Sequence, residues 1–262
     1  MDSKVISFKK SNWNKTGQVT IFIIIAVLIV IMLVLIFVSV NSYQSVINVE
    51  KSPYSTIESC TKKATQDAIK KIEINGGDIN TGFSVMYNDI NRSYLCYTTQ
   101  YYERCVNQRP KLIEHMEDEI TSYITPQVNE CFESLKTELD KRYQSIEMGD
   151  MKITTTLSPK EVLINIDRKF KMTNGENSKE FDNYKISIVH PIYNLAKIAG
   201  EITNQEAQFC NFDTAGYMTI YPEYDITKFK TGNSDTIYII KDRITGEEFN
   251  FAIRSCVMPP GF

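Results

Sequence analysis

Residues Val19 to Val40 run without a charge or a proline through VTIFIIIAVLIVIMLVLIFVSV, and no other stretch of the chain constrains it as strongly. At 1.5 Å per residue a helix of this run spans about 33 Å, enough for a hydrocarbon core of roughly 30 Å. Thr20 and Ser39 are its only hydroxyl side chains. The expected element is a transmembrane helix over 18–40. A cleaved secretory signal is the competing reading, but its apolar region is normally about 7 to 15 residues and ends in a small-x-small site. Here the run closes in Phe37-Val38-Ser39-Val40, which favours retention.

Lys4, Lys9, Lys10 and Lys15 precede the run, against Asp2 alone. Positive charge beside a span stays cytoplasmic, so the expected topology puts a basic tail (1–17) inside and the bulk of the chain outside. A neck over 41–53 leads to a helical and hairpin part (54–148), then an antiparallel β-rich part with one helix (149–262). A boundary near Glu147 to Asp150 is open, since the spacing does not separate one composite domain from two.

The chain carries a net charge of −3. With four lysines and one aspartate in the tail, the remainder holds about −6, and no basic stripe follows Val40. A nucleic-acid binder draws its affinity from such a stripe, so no nucleic-acid partner is expected. The expected partners are the lipid bilayer through 18–40 and an envelope protein or surface polymer; the homo-oligomeric state is left open.

All six cysteines follow the apolar run. An even count in an oxidising exterior predicts three disulfides, although six cysteines allow fifteen pairings. Cys96 and Cys105 are expected to face each other across a hairpin turning at Gln100-Tyr101. Cys60 with Cys131, and Cys210 with Cys256, complete the set. Zinc is the competing use, but CxxC is absent and the cysteines lie at least nine positions apart, which is not ligand spacing. Buried free thiols are the other alternative and would fit a cytosolic domain.

Helical spacing marks 54–75, with Ile57, Cys60, Ala64, Ala68 and Ile72 on one face and Gly76-Gly77 as the stop. A second stripe runs from Leu112 to Ile124 and resumes at Val128 to about Arg142 after Pro126, predicting a helical hairpin or a kinked pair. Alternating β-branched residues predict strands at Lys152–Leu157, Glu161–Phe170 and Tyr184–Val189, with turns at Ser158-Pro159 and Thr173-Asn174-Gly175. A helix from Pro191 to about Gln208 carries proline at its first position. Further strands are expected at Tyr217–Tyr221, Thr236–Lys241 and Glu248–Arg254. The expected fold class is α+β: a transmembrane helix, then helices packed on one face of an antiparallel sheet.

Catalytic signatures are missing. His115, among acidic neighbours, reads as part of a solvated helix face, and His190 as a residue at a strand-to-helix junction. No GxSxG or HExxH occurs, Asn75-Gly76-Gly77 reads as a helix cap, and no carboxylate pair is marked out. No catalytic, cofactor or metal-binding residue is assigned. Fifteen tyrosines include Tyr87, Tyr94, Tyr97, Tyr101 and Tyr102 in one stretch, where cross-strand packing outweighs recognition. Asn91-Arg92-Ser93 is a glycosylation sequon on the expected outer side.

Lys15-Thr16-Gly17-Gln18 and the apolar run, to about residue 38, resemble the class III signal of archaeal type IV pilin-like proteins. The resemblance implies cleavage between Gly17 and Gln18, leaving the apolar helix to pack with its neighbours. The acidic residue many of these proteins carry at the fifth mature position is replaced by Phe22. The wider layout adds the Ile57-Glu58-Ser59-Cys60 helix ending in Gly76-Gly77, Tyr238-Ile239-Ile240-Lys241-Asp242, and Phe249 to Ile253. It resembles uncharacterised single-pass membrane proteins of small-genome archaea, which implies an envelope location. The favoured function is that of a membrane-anchored extracytoplasmic protein with a structural or interaction role. A pilin-like filament subunit is the first alternative and a membrane-tethered hydrolase the second.

Overall fold

The computed structural model describes residues 23–36 and 52–259. The chain divides into two compact units, Met1–Lys51 and Ser52–Phe262. In the first, residues 23–36 form a helix, α1, whose apolar side chains are about half exposed. Its fourteen described residues cover about 21 Å, and no helix among the described residues is long and apolar enough to cross a membrane. The basic tail, Gly17, Gln18 and most of the neck lie outside the described residues.

The second unit begins with α2 (Pro53–Ile74). Ser52 caps it by accepting a bond from the Ser55 amide, with Pro53 at the first turn. Gly76 and Gly77 stop it with φ of 73° and 94°. A β-carbon on Gly77 would lie 2.9 Å from Leu112, so both backbone and packing require glycine there.

The first sheet contains β1 (Ser84–Tyr87), β2 (Ile90–Tyr97), β3 (Val106–Asn107), β8 (Tyr224–Lys230), β9 (Thr236–Asp242) and β10 (Glu248–Arg254). Its order is β1-β2-β10-β9-β8, with β3 also on β2. Asn88 and Asp89 supply the positive φ of the β1–β2 turn. The expectation of a purely antiparallel sheet is corrected: β10 pairs β2 in parallel, Tyr94 opposite Ala252. β10 thus sits between its sequence neighbour β9 and β2, a strand from far earlier in the chain.

The second sheet is built on β6 (Glu161–Asn174). β7 (Asn177–Val189) runs along one side. β4 (Ser145–Met148) and β5 (Lys152–Ser158) share the other. Alternation in β6 buries Val162, Ile164, Ile166, Phe170 and Met172 on one face. Its hairpin to β7 turns at Gly175, φ 61°, extending the two predicted strands by several residues. β4 and β8 were not anticipated.

Three helices complete the unit. α3 (Leu112–Leu139) is continuous through Pro126, so the two stripes belong to one helix, which corrects the helical hairpin. The buried stripe Met116, Ile120, Ile124, Val128, Cys131 and Leu135 keeps its face across the proline, so packing against α2 outweighs the lost backbone bond. α4 (Ile192–Phe209) has Pro191 as its N-cap, one position before the expected one. α5 (Thr214–Ile220) replaces the strand expected at Tyr217–Tyr221. Asp213 caps it by accepting from the Gly216 amide, and Tyr217 turns onto Phe212, ring centroids 5.4 Å apart. Helices are not confined to one face of one sheet: α2 touches β10 and β2 of the first sheet and β7 of the second, and one apolar core runs through both.

Disulfides join Cys60 to Cys131, Cys96 to Cys105 and Cys210 to Cys256, the three pairs anticipated above. The Cys96–Cys105 geometry is not the expected two-residue hairpin. Cys96 faces Asn107 in the ladder, and the loop between is pinned to the C-terminal segment, Tyr102 N–H to Val257 O at 2.9 Å and Cys256 N–H to Glu103 O at 2.8 Å. Gln100 and Tyr101 lack the positive-φ preference a tight turn demands, so the chain takes the wider path.

Candidate functional site

Buried carboxylates are informative because an ionised group out of water needs donors or cations. Asp78 has His115 Nε2 at 2.5 Å and Arg109 at 3.4 Å. Burial would raise its pKa, but the bond to His115 and the Arg109 charge prevail and lower it. His115 is therefore not on a solvated face: it ties α3 to the loop after α2. Glu206 holds Lys228 at 2.8 Å and accepts from the Tyr238 hydroxyl. Asp235 accepts from the Tyr94 hydroxyl at 2.9 Å and lies 3.4 Å from Arg254.

Glu73 is different. It lies on the last turn of α2, 4% exposed, and its Oε1 is the one carboxylate oxygen among the described residues that is buried without a hydrogen-bond partner. Burial first, then the charges of Glu247 and Glu248, push its pKa up to about 8. The imidazole Nε2 of His190 is 3.7 Å away. Glu247 Oε1 lies 3.8 Å from the same nitrogen. The three groups each place one donor atom within 4.8 Å of the others.

Local structure fixes each group. His190 follows β7 at the turn into α4; its backbone N–H donates to Lys160 O at 3.2 Å, and its Nδ1 accepts from the Ile192 amide at 3.3 Å. Glu247 is in the β9–β10 turn. Its carbonyl accepts from Asp242 N–H, while the Asp242 carboxylate accepts from Ile244 and Thr245 at 2.8 and 3.0 Å. Burial lowers the His190 pKa and Glu247 partly opposes it. A neutral imidazole can move a proton or ligate a cation.

His190 and Glu247 line a cavity of about 290 Å³, together with Lys160, Asn194, Asp242 and Thr245. Two larger grooves lie elsewhere. One, about 480 Å³, runs between α2 and α3 over the Cys60–Cys131 bridge. The other, about 500 Å³, separates the start of α3 from α4. Neither lining contains a histidine, so the smaller cavity is the one with convergent chemistry.

The sequence assigned no residue to this cavity. His190 is legible only as a junction residue, and the sequence does not single out Glu73. A glutamate one position beyond Ile72, at the edge of the apolar stripe, was the available signal. Of the other residues singled out, Tyr87, Tyr94 and Tyr97 pack across the outer face of the first sheet. Tyr101 and Tyr102 stay exposed. Asn91 is exposed on β2, while the sequon's Ser93 is 2% exposed.

No protein family matches the chain, and neither a curated protein nor a solved structure shows significant similarity to it.

Proposed function

We propose that the chain is a membrane-anchored extracytoplasmic protein of the cell envelope with a structural or interaction role, its second unit held outside the cell. The observation carrying this reading is the pairing of all six cysteines into three disulfides, which persist in oxidising compartments and are rare in the cytosol. The lysines before the apolar run point the same way. α1 adds support, because a helix apolar on all faces needs lipid or partner helices around it. Exposed Tyr101 and Tyr102 offer a contact surface for an envelope protein or surface polymer.

Protease added to intact cells should digest the second unit, and alkylation before reduction should find no reactive thiol. Protection of that unit together with alkylated cysteines would refute the assignment. The filament alternative, processed after Gly17, predicts a mature mass beginning at Gln18 and filaments by electron microscopy. The tethered-hydrolase alternative is favoured by one observation, the convergence of Glu73, His190 and Glu247, two of which line a cavity.

A further inference from the structure

We infer that Glu73, His190 and Glu247 form a binding site for a divalent transition-metal cation, beside the cavity that His190 and Glu247 line between the β9–β10 turn and the start of α4. The three groups are close together yet do not hydrogen-bond one another. Glu73 Oε1 and Glu247 Oε1 stand 3.7 and 3.8 Å from His190 Nε2, beyond hydrogen-bond range, and Glu73 Oε1 has no donor at all although its side chain is 5% exposed. Every other buried carboxylate considered above has its donors.

Distances suit an ion better than a hydrogen bond. Zinc takes nitrogen and oxygen ligands at about 2.0–2.2 Å, which puts neighbouring donors roughly 3.4 Å apart around a tetrahedron. The two separations from His190 Nε2 need to close by only a few tenths of an ångström, and all three donor atoms already lie within 4.8 Å of one another. Glu73 and His190 are fixed by α2 and the β7–α4 junction, while the Glu247 side chain, 45% exposed, is free to complete the set. One imidazole and two carboxylates are a ligand set for zinc, manganese or iron.

Charge points the same way. Asp242 and Glu248 add to Glu73 and Glu247; Lys160 lines the cavity, and Lys241 is engaged with Glu248 at 3.0 Å. Coordination through Nε2 places the ring proton on Nδ1, and the bond from Ile192 is then given up. At 3.3 Å it is long and weak. His190 and Glu247 open onto the cavity, which leaves room for water beside three protein ligands.

The test uses the full chain purified in detergent, stripped with chelator and dialysed against Zn²⁺ or Co²⁺. One ion per chain is expected by elemental analysis, with the visible bands of low-symmetry Co²⁺. Glu247→Gln, in a half-exposed turn, leaves the fold intact and should weaken binding by at least the roughly tenfold to hundredfold that loss of a metal's outer-shell partner costs. His190→Ala should abolish it. Wild-type chain that binds neither ion overturns the site. So does binding that Glu247→Gln and His190→Ala, both shown folded by circular dichroism, leave unchanged.

Discussion

The contrast between Asp78 and Glu73 shows how much a side chain's surroundings decide. Both lie at the end of α2 or just beyond it, and both are buried. Asp78 meets His115 and Arg109, which hold its pKa below the usual 3.8; Glu73 is cut off from water first and faces two other carboxylates besides, and its pKa climbs. A lowered carboxylate stabilises the fold above its unfolded value, and that contribution is lost as pH falls through the folded one. Asp78→Asn is therefore expected to cost about 2 kcal/mol at neutral pH, the worth of a hydrogen bond to a charged group. The difference from wild type should shrink as the pH falls below the ordinary aspartate value of 3.8. Urea midpoints for both proteins at neutral and acid pH check this; a gap independent of pH would show that Asp78 acts through packing alone.

At the scale of elements, the cross-links differ in how much chain they close. Cys60–Cys131 ties α2 to α3 across 71 residues, whereas Cys96–Cys105 closes only nine. The chain-entropy relation assigns about 4.4 kcal/mol to the first and about 2.6 to the second. Replacing Cys60 and Cys131 by alanine should therefore destabilise more than replacing Cys96 and Cys105, by close to 2 kcal/mol on the same relation, measured by denaturant unfolding. Equal losses would mean that α2–α3 packing already restricts the unfolded chain. The helices and hairpins of these elements were largely legible. Apolar spacing located α2 and both halves of α3, and Gly76-Gly77 and Thr173-Asn174-Gly175 marked real turns. Periodicity could not say that α3 continues through Pro126, because the deciding contacts come from α2. Nor could it distinguish α5 from a strand in a segment whose fate rests on the Asp213 cap and the Tyr217–Phe212 contact.

For the whole second unit, the continuous core joining α2, α3 and both sheets predicts cooperative unfolding. Far-ultraviolet and near-ultraviolet circular dichroism of the full chain should give coincident transitions for that unit; two separated midpoints would show that the sheets fold apart. The candidate site belongs to this scale as well, since α2, the β7–α4 junction and the β9–β10 turn each contribute one group. By itself the sequence determined the apolar run, the elements with strong local periodicity and a disulfide-compatible cysteine set, because each is written in residues near one another or in their identities. Tertiary structure alone decided that β10 lies parallel to β2, that His115 reaches Asp78, and that Glu73 and Glu247 both approach one imidazole. Those outcomes depend on which distant surfaces bury each other, a long-range packing choice that no local pattern of residues encodes.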